Sequence, residues 1–127
     1  DEVRLPSDAQ PLVSLGRNSR IDPRLTRSIR IMEQHIDTTL TIHDIAKRIG
    51  CSIRTVEILF RRSTQCSPAV YYLSLRLQAA RRLVTDTRLP MADIAVRTGF
   101  SSIASLSRAF RRQFGQTPSA ARKGSQI

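Results

Sequence analysis

Apolar side chains recur along this chain at the three-and-four spacing of an α-helix. Ile103, Leu106, Phe110 and Phe114 form one helical stripe, and Ser107, Arg108, Arg111 and Arg112 fall on the opposite face. A residue type suited to the N-cap, Ser101 or Ser102, stands ahead of it. Gly99 and Phe100 separate this stretch from a shorter one, Asp93 to Thr98, with Ile94 and Ala95 on one face. Helix, tight glycine turn, then a helix with one greasy and one basic face is the helix-turn-helix pattern. Its second helix enters a DNA major groove.

The same order occurs earlier in the chain. Asp44, Ile45, Ala46, Arg48 and Gly50 match Asp93, Ile94, Ala95, Arg97 and Gly99, each 49 positions on. After the glycine, one inserted turn residue widens the offset to 50. Ser52 then pairs with Ser102, Ile53 with Ile103, Phe60 with Phe110, Arg61 and Arg62 with Arg111 and Arg112, and Pro68 with Pro118. Two copies are too few for a solenoid, so the pattern reads as a duplicated DNA-reading unit.

The remaining segments complete an all-α chain. Residues 1–20 show no sustained period and read as a linker or flexible lead-in, whose Val3, Leu5, Leu12, Val13 and Leu15 can dock on a neighbour. Asp22-Pro23 is a cap followed by proline, a helix start. Leu25, Ile29, Met32 and Ile36 follow at helical spacing, which predicts an end near Asp37–Thr39. Thr41-x-x-Asp44 resembles a capping box. It opens a helix burying Ile42, Ile45, Ala46 and Ile49, with Gly50 as a left-handed exit. Ser52 caps the next helix, with Ile53, Val56 and Phe60 inward and Arg54, Glu57, Ile58, Arg61 and Arg62 outward. Ser67-Pro68 starts a helix from Ala69 to about Thr85, with Leu73, Leu77, Ala80 and Val84 on one face. Thr117-Pro118 starts a last short one through Ala121 and Arg122. The architecture predicted is two homeodomain-like helix-turn-helix subdomains, 21–66 and 86–127, joined by a linking helix over 67–85. That helix spans about 27 Å, comparable to the roughly 34 Å between successive major-groove faces, so two reading helices can enter adjacent grooves.

Charge strengthens the nucleic-acid reading. Among 127 residues, 21 Lys and Arg face 10 Asp and Glu, a formal net charge of +11. Lys47 and Lys123 are the only lysines. The excess is therefore arginine, which suits bidentate phosphate or guanine contacts. Cys51 and Cys66 form neither a metal spacing nor a disulfide framework, and His35 and His43 lack partnering ligands. No catalytic residue, metal or cofactor is predicted. No apolar run approaches a membrane span of about 18 residues and no secretory pattern is present, so the location expected is the reducing cytoplasm, at the nucleoid. Tyr71 and Tyr72 read as packing groups of the linking helix; without stacking aromatics the pattern argues against RNA.

Three segments together resemble the DNA-binding domain of the AraC/XylS family of bacterial transcription regulators. They are LTIHDIAKRIGCSIRTVEILFRRSTQCSP, the RLQAARRLV pattern on the linking helix, and ADIAVRTGFSSIASLSRAFRRQFGQTP, within a similarity covering roughly residues 21–123. The opening IDPRLTRSIRIMEQHI, with SPAVYYLSLRLQAARRLV, is most similar to the branch whose N-terminal half resembles a DJ-1/PfpI or glutamine-amidotransferase domain. This resemblance implies double-stranded DNA as the partner, an absent effector-sensing or dimerising half with residues 1–20 as its linker, a homodimer through that half, and RNA polymerase as a further partner.

Carried across by position, the family's base-reading sites fall on Arg54, Glu57 and Ile58, then on Ile103, Ala104, Ser107 and Arg108. Ser52 and Ser102, with Arg61, Arg62, Arg111 and Arg112, match positions that contact the DNA backbone. The chain departs from the pattern at Gln65-Cys66, where a glycine-containing turn is usual, and at Ile58, where many members place a polar or basic reader.

Each position also has a plainer reading. Arg54 and Arg108 can fork onto guanine O6 and N7, or stand as solvated side chains and phosphate clamps. Glu57 can accept from cytosine N4 or pair with Arg61 one turn on. Ile58 is a thymine-methyl reader or partial core, and Ile103 lies on the apolar stripe, which favours packing. Ala104 and Ser107 are small and permit close approach of the backbone. The function implied is sequence-specific duplex binding without enzymatic activity. The alternatives are a DNA-repair alkyl-transfer module, which needs an activated cysteine, and a general nucleic-acid binder.

Overall fold

The computed structural model describes residues 21–125, and its regular elements there are all helices. The expectations for residues 1–20 lie outside the described residues. The chain divides into two compact units, one reaching Leu75 and the other starting at Arg76 apart from a short loop piece.

In the first unit, α1 (Pro23–Gln34) begins where Asp22 accepts a hydrogen bond from the Arg24 backbone N–H at 2.9 Å, with proline in the first turn. Its inward face is Leu25, Ser28, Ile29 and Met32. The helix stops earlier than the apolar period suggests. His35 leaves the helical region, and Ile36 lies half-buried beyond the end. The cause is non-local: the Tyr72 hydroxyl donates to the His35 carbonyl and accepts from Leu40 N–H at 3.3 Å, so it bridges both sides of the loop.

α2 (Ile42–Ile49) starts with a full capping box. Asp44 N–H donates to Thr41 Oγ1 at 3.0 Å, and Thr41 N–H donates to the Asp44 carboxylate at 3.2 Å. The hydrogen bonds from Thr41 hold the Asp44 carboxyl below the usual carboxylate range. The helix ends on Gly50 at φ +87°, a left-handed conformation that costs glycine little. α3 (Ile53–Thr64) follows, capped by Ser52. α1 packs on both α2 and α3. Ile45, Val56 and Phe60 are fully buried, and Phe60 meets Tyr71 edge-to-face at a centroid distance of 5.5 Å.

α4 (Pro68–Asp86) supplies its first half to this unit and its second half to the other. The single inward face expected for it holds for Leu77, Ala80 and Val84. Leu73 is only half-buried, whereas Tyr71, Tyr72, Ser74 and Leu75 are buried. Phe60 packs against Tyr71 while the α1–α2 loop meets Tyr72, so adjacent positions are covered by different partners.

In the second unit, α6 (Ile103–Phe114) packs on α5 (Met91–Arg97) and on α7 (Pro118–Ser125). Ile94, Leu106 and Phe110 are fully buried. α7 is tied to α4 by Arg122 Nε, which donates to the Val84 carbonyl at 3.0 Å. The Arg81 guanidinium lies 4.7 Å from the centre of the Phe114 ring.

Candidate nucleic-acid interface

α3 and α6 are framed alike. Ser52 accepts from Thr55 N–H at 3.1 Å and Ser102 from Ser105 N–H at 3.0 Å, so Ser102 is the cap and Ser101 is not. Each serine oxygen thus satisfies an open helix N–H and keeps its own proton to donate outward. At Ser52 the Thr55 hydroxyl, 3.0 Å away, competes for that proton. Both helices end in a left-handed residue: Gly115 at φ +79° and, at the matching place, Gln65 at φ +61°. Gln65 therefore performs the turn for which the family pattern uses glycine.

Each helix buries only its middle, Val56 and Phe60 in one, Leu106 and Phe110 in the other. The outward face is longer than the apolar stripe implies. Ile53 and Ile103, both expected inward, are 40% and 47% exposed. They lie in the first helical turn, before the stripe reaches its packing partners. Ile58 is 42% exposed, so it is not part of the core. The exposed set of α3 is Ile53, Arg54, Glu57, Ile58, Arg61 and Arg62. In α6 the same six places hold Ile103, Ala104, Ser107, Arg108, Arg111 and Arg112, of which only Ser107 is half-buried. At 100° per residue these six places cover about half the helix circumference.

The charged groups of these faces are uncommitted. The side chains of Arg54, Glu57, Arg61, Arg62, Arg108, Arg111 and Arg112 form no hydrogen bond or ion pair with another described residue. The Glu57–Arg61 pairing that helical spacing allows is not made. On α3, Arg54, Glu57, Ile58, Arg61 and Arg62 line an open hollow of about 500 Å³. A second hollow, about 580 Å³, lies between α2 and the start of α3, lined by His43, Ala46, Lys47, Cys51, Ser52, Ile53 and Arg54. Lys47 borders it as an exposed cation that the sequence reading did not single out; its signal is a basic residue in the last turn before the glycine. Cys51 is half-buried and Cys66 buried, both as free thiols. Among the described residues no group of three or more metal-ligating side chains comes together, and no helix is long and apolar enough to cross a membrane.

Comparison with known proteins agrees with this geometry. The family model described as a helix-turn-helix domain matches residues 45–124. The HTH-type transcriptional regulator ArgR of Pseudomonas aeruginosa is 33% identical over 118 residues, 93% of this chain and 36% of that protein. The chain thus spans about a third of the length of such curated relatives. A crystal structure of a transcriptional regulator from Chromobacterium violaceum, of the AraC-type DNA-binding domain-containing proteins, is 37% identical. It superposes with a TM-score of 0.78 over 81% of this chain and 92% of that one. The DNA-binding domain of AdpA, a global transcriptional factor crystallised with a target DNA, is 28% identical with a TM-score of 0.77, over 81% of this chain and 93% of that one.

Proposed function

The chain belongs to the AraC-type helix-turn-helix family, and on that premise we propose that it is the sequence-specific DNA-binding module of a bacterial transcription regulator, with α3 and α6 reading adjacent major grooves. The observation that carries this reading is the matched pair of outward faces. Two helices present the same six places, and their charged side chains have no partner among the described residues. Arginines at a groove-facing helix are worth most when they arrive unpaired, because no internal ion pair has to break.

The faces divide by chemistry. Arg61, Arg62, Arg111 and Arg112, with the hydroxyls of Ser52 and Ser102, hold phosphates and set the register. Arg54 and Arg108 fork onto guanine, Glu57 accepts from an amino-bearing base, and Ile58 and Ile103 touch methyl groups. Ala104 and Ser107 let the helix backbone approach closely. The module works by binding, without catalysis, in the cytoplasm at the nucleoid. It belongs to a longer regulator that dimerises through a part outside this chain and meets RNA polymerase at its promoter.

The test is selection from a random duplex pool, followed by salt titration on the selected duplex. Recovery of one motif is expected, with the logarithm of the binding constant falling linearly against the logarithm of salt. Four phosphate-bound arginines give a slope of about −3 to −4. Equal binding of all duplexes, or equal binding of RNA, refutes sequence-specific reading. A footprint confined to one groove refutes two-helix engagement.

A further inference from the structure

The hollow on α3 holds one carboxylate among three arginines, and the side chain next to it is an exposed isoleucine. Resting on the DNA-reading proposal above, we infer that α3 recognises a cytosine methylated at C5, with Glu57 on its amino group and Ile58 on its methyl.

Glu57 can only accept hydrogen bonds when ionised. It is exposed, and it forms no ion pair with Arg61 or any other described residue. On a face that meets phosphates, such a charge weakens binding to every sequence that offers it no donor. It selects by exclusion. In the major groove, cytosine presents only the N4 amino donor, whereas adenine sets an acceptor beside its amino group and thymine presents an O4 acceptor. Cytosine is therefore the base that Glu57 tolerates best.

The C5 carbon adjoins the amino-bearing carbon on the pyrimidine ring, and Ile58 follows Glu57 by about 100° around the helix axis. Both side chains line the same hollow. Ile58 has 42% of its surface in solvent, so covering a methyl group removes apolar area from water on both partners. A plain cytosine leaves Ile58 facing a hydrogen. Thymine satisfies Ile58 and sets an oxygen against Glu57. Only the methylated cytosine serves both side chains at once.

The experiment takes the duplex selected from an unmodified random pool and uses the full 127-residue chain. The cytosine under α3 is located as the position where Glu57→Ala loses its preference. It is then replaced by 5-methylcytosine or by thymine (each opposite its Watson–Crick partner), and affinity is measured by fluorescence anisotropy. The order expected is 5-methylcytosine, then cytosine, then thymine. The first step is about fourfold, which corresponds to one buried methyl-sized group. Ile58→Ala should abolish that step while keeping cytosine over thymine, and Glu57→Ala should do the reverse.

Equal affinity for cytosine and 5-methylcytosine overturns the inference. So does thymine binding as tightly as 5-methylcytosine, a methyl preference that persists in Ile58→Ala, or the absence of any cytosine under α3. A chain that selects no motif from the pool instead fails the underlying DNA-reading proposal. Methyl-insensitive selection of a motif fails this inference alone.

Discussion

The two helix-turn-helix units share a frame and differ at their outward faces. Phe60 and Phe110 are equally buried, Ser52 and Ser102 cap alike, and the arginine pairs coincide. On the outward places Arg54 stands against Ala104, Glu57 against Ser107, and Ile58 against Arg108. The first unit thus carries its arginine early, beside an acid, and the second carries it late, beside small residues. On the preceding helix Lys47 of the first unit stands against Val96 of the second, which is 70% exposed. Positions that touch the core tolerate little change, because packing and capping constrain them. Positions that touch only solvent are free to specialise.

The largest effects come from breaking the shared frame. Phe60→Ala and Phe110→Ala each remove a fully buried ring and should cost about 3–5 kcal/mol, read by chemical denaturation. Similar losses would show the two cores to be energetically equivalent; a loss under about 1 kcal/mol in either would break the equivalence.

Next come the faces. Arg108→Ala should cost about 1–3 kcal/mol on the selected duplex and relax the choice at one base pair. Arg111→Ala should weaken all duplexes alike and reduce the salt slope by about 1. If Arg108→Ala also weakens all duplexes equally, Arg108 is a backbone clamp.

Much of this comparison was readable from the chain alone, for a physical reason. Caps, turn glycines and the apolar period are local signals, and Thr41, Asp44, Gly50 and Ser102 behave in the structure as local rules demand. The misread residues depend on distant partners. Ile53 and Ile103 continue the apolar stripe beyond the surface that could cover them. The Tyr72 hydroxyl ends α1 from 37 residues away. Periodicity does not encode where a stripe meets its neighbour, nor which loop a side chain will bridge. At the outward faces, exposure was legible for Arg54, Glu57 and Arg108, whereas the lack of a partner for Glu57 among the described residues and the hollow beside Lys47 depend on the three-dimensional arrangement.

Smaller effects test the helix exits. Gln65 adopts a left-handed conformation without being glycine, so Gln65→Gly should relieve about 1 kcal/mol of strain. Gly115→Gln should cost a similar amount, since a Cβ there meets nothing within 4 Å and only the φ of +79° opposes it. Thermal melts of the two variants should shift in opposite directions; a shift of the same sign would mean that the exits are not equivalent.

The smallest effect is electrostatic. The Arg24 side chain, then its backbone N–H, holds the Asp22 carboxyl down to about 2 from an ordinary 3.8. The folded chain therefore favours the ionised form. That contribution is complete above the ordinary value and is lost as the pH falls toward 2. Asp44 adds to it in the same direction. Stability followed by circular dichroism should decline between about pH 4 and 2, and Asp22→Asn should flatten part of the decline, by a modest amount because the group is exposed.

α4 gives one end to each core, with Tyr71 and Tyr72 in the first and Leu77, Ala80 and Val84 in the second. No cut inside Pro68–Asp86 can therefore yield two intact fragments. A break at Leu75 would leave the last four carbonyls of one stump and the first four amides of the other without helical partners. Dissection of the halves has to carry the whole helix in both pieces, and swaps of reading units between relatives are best joined outside it.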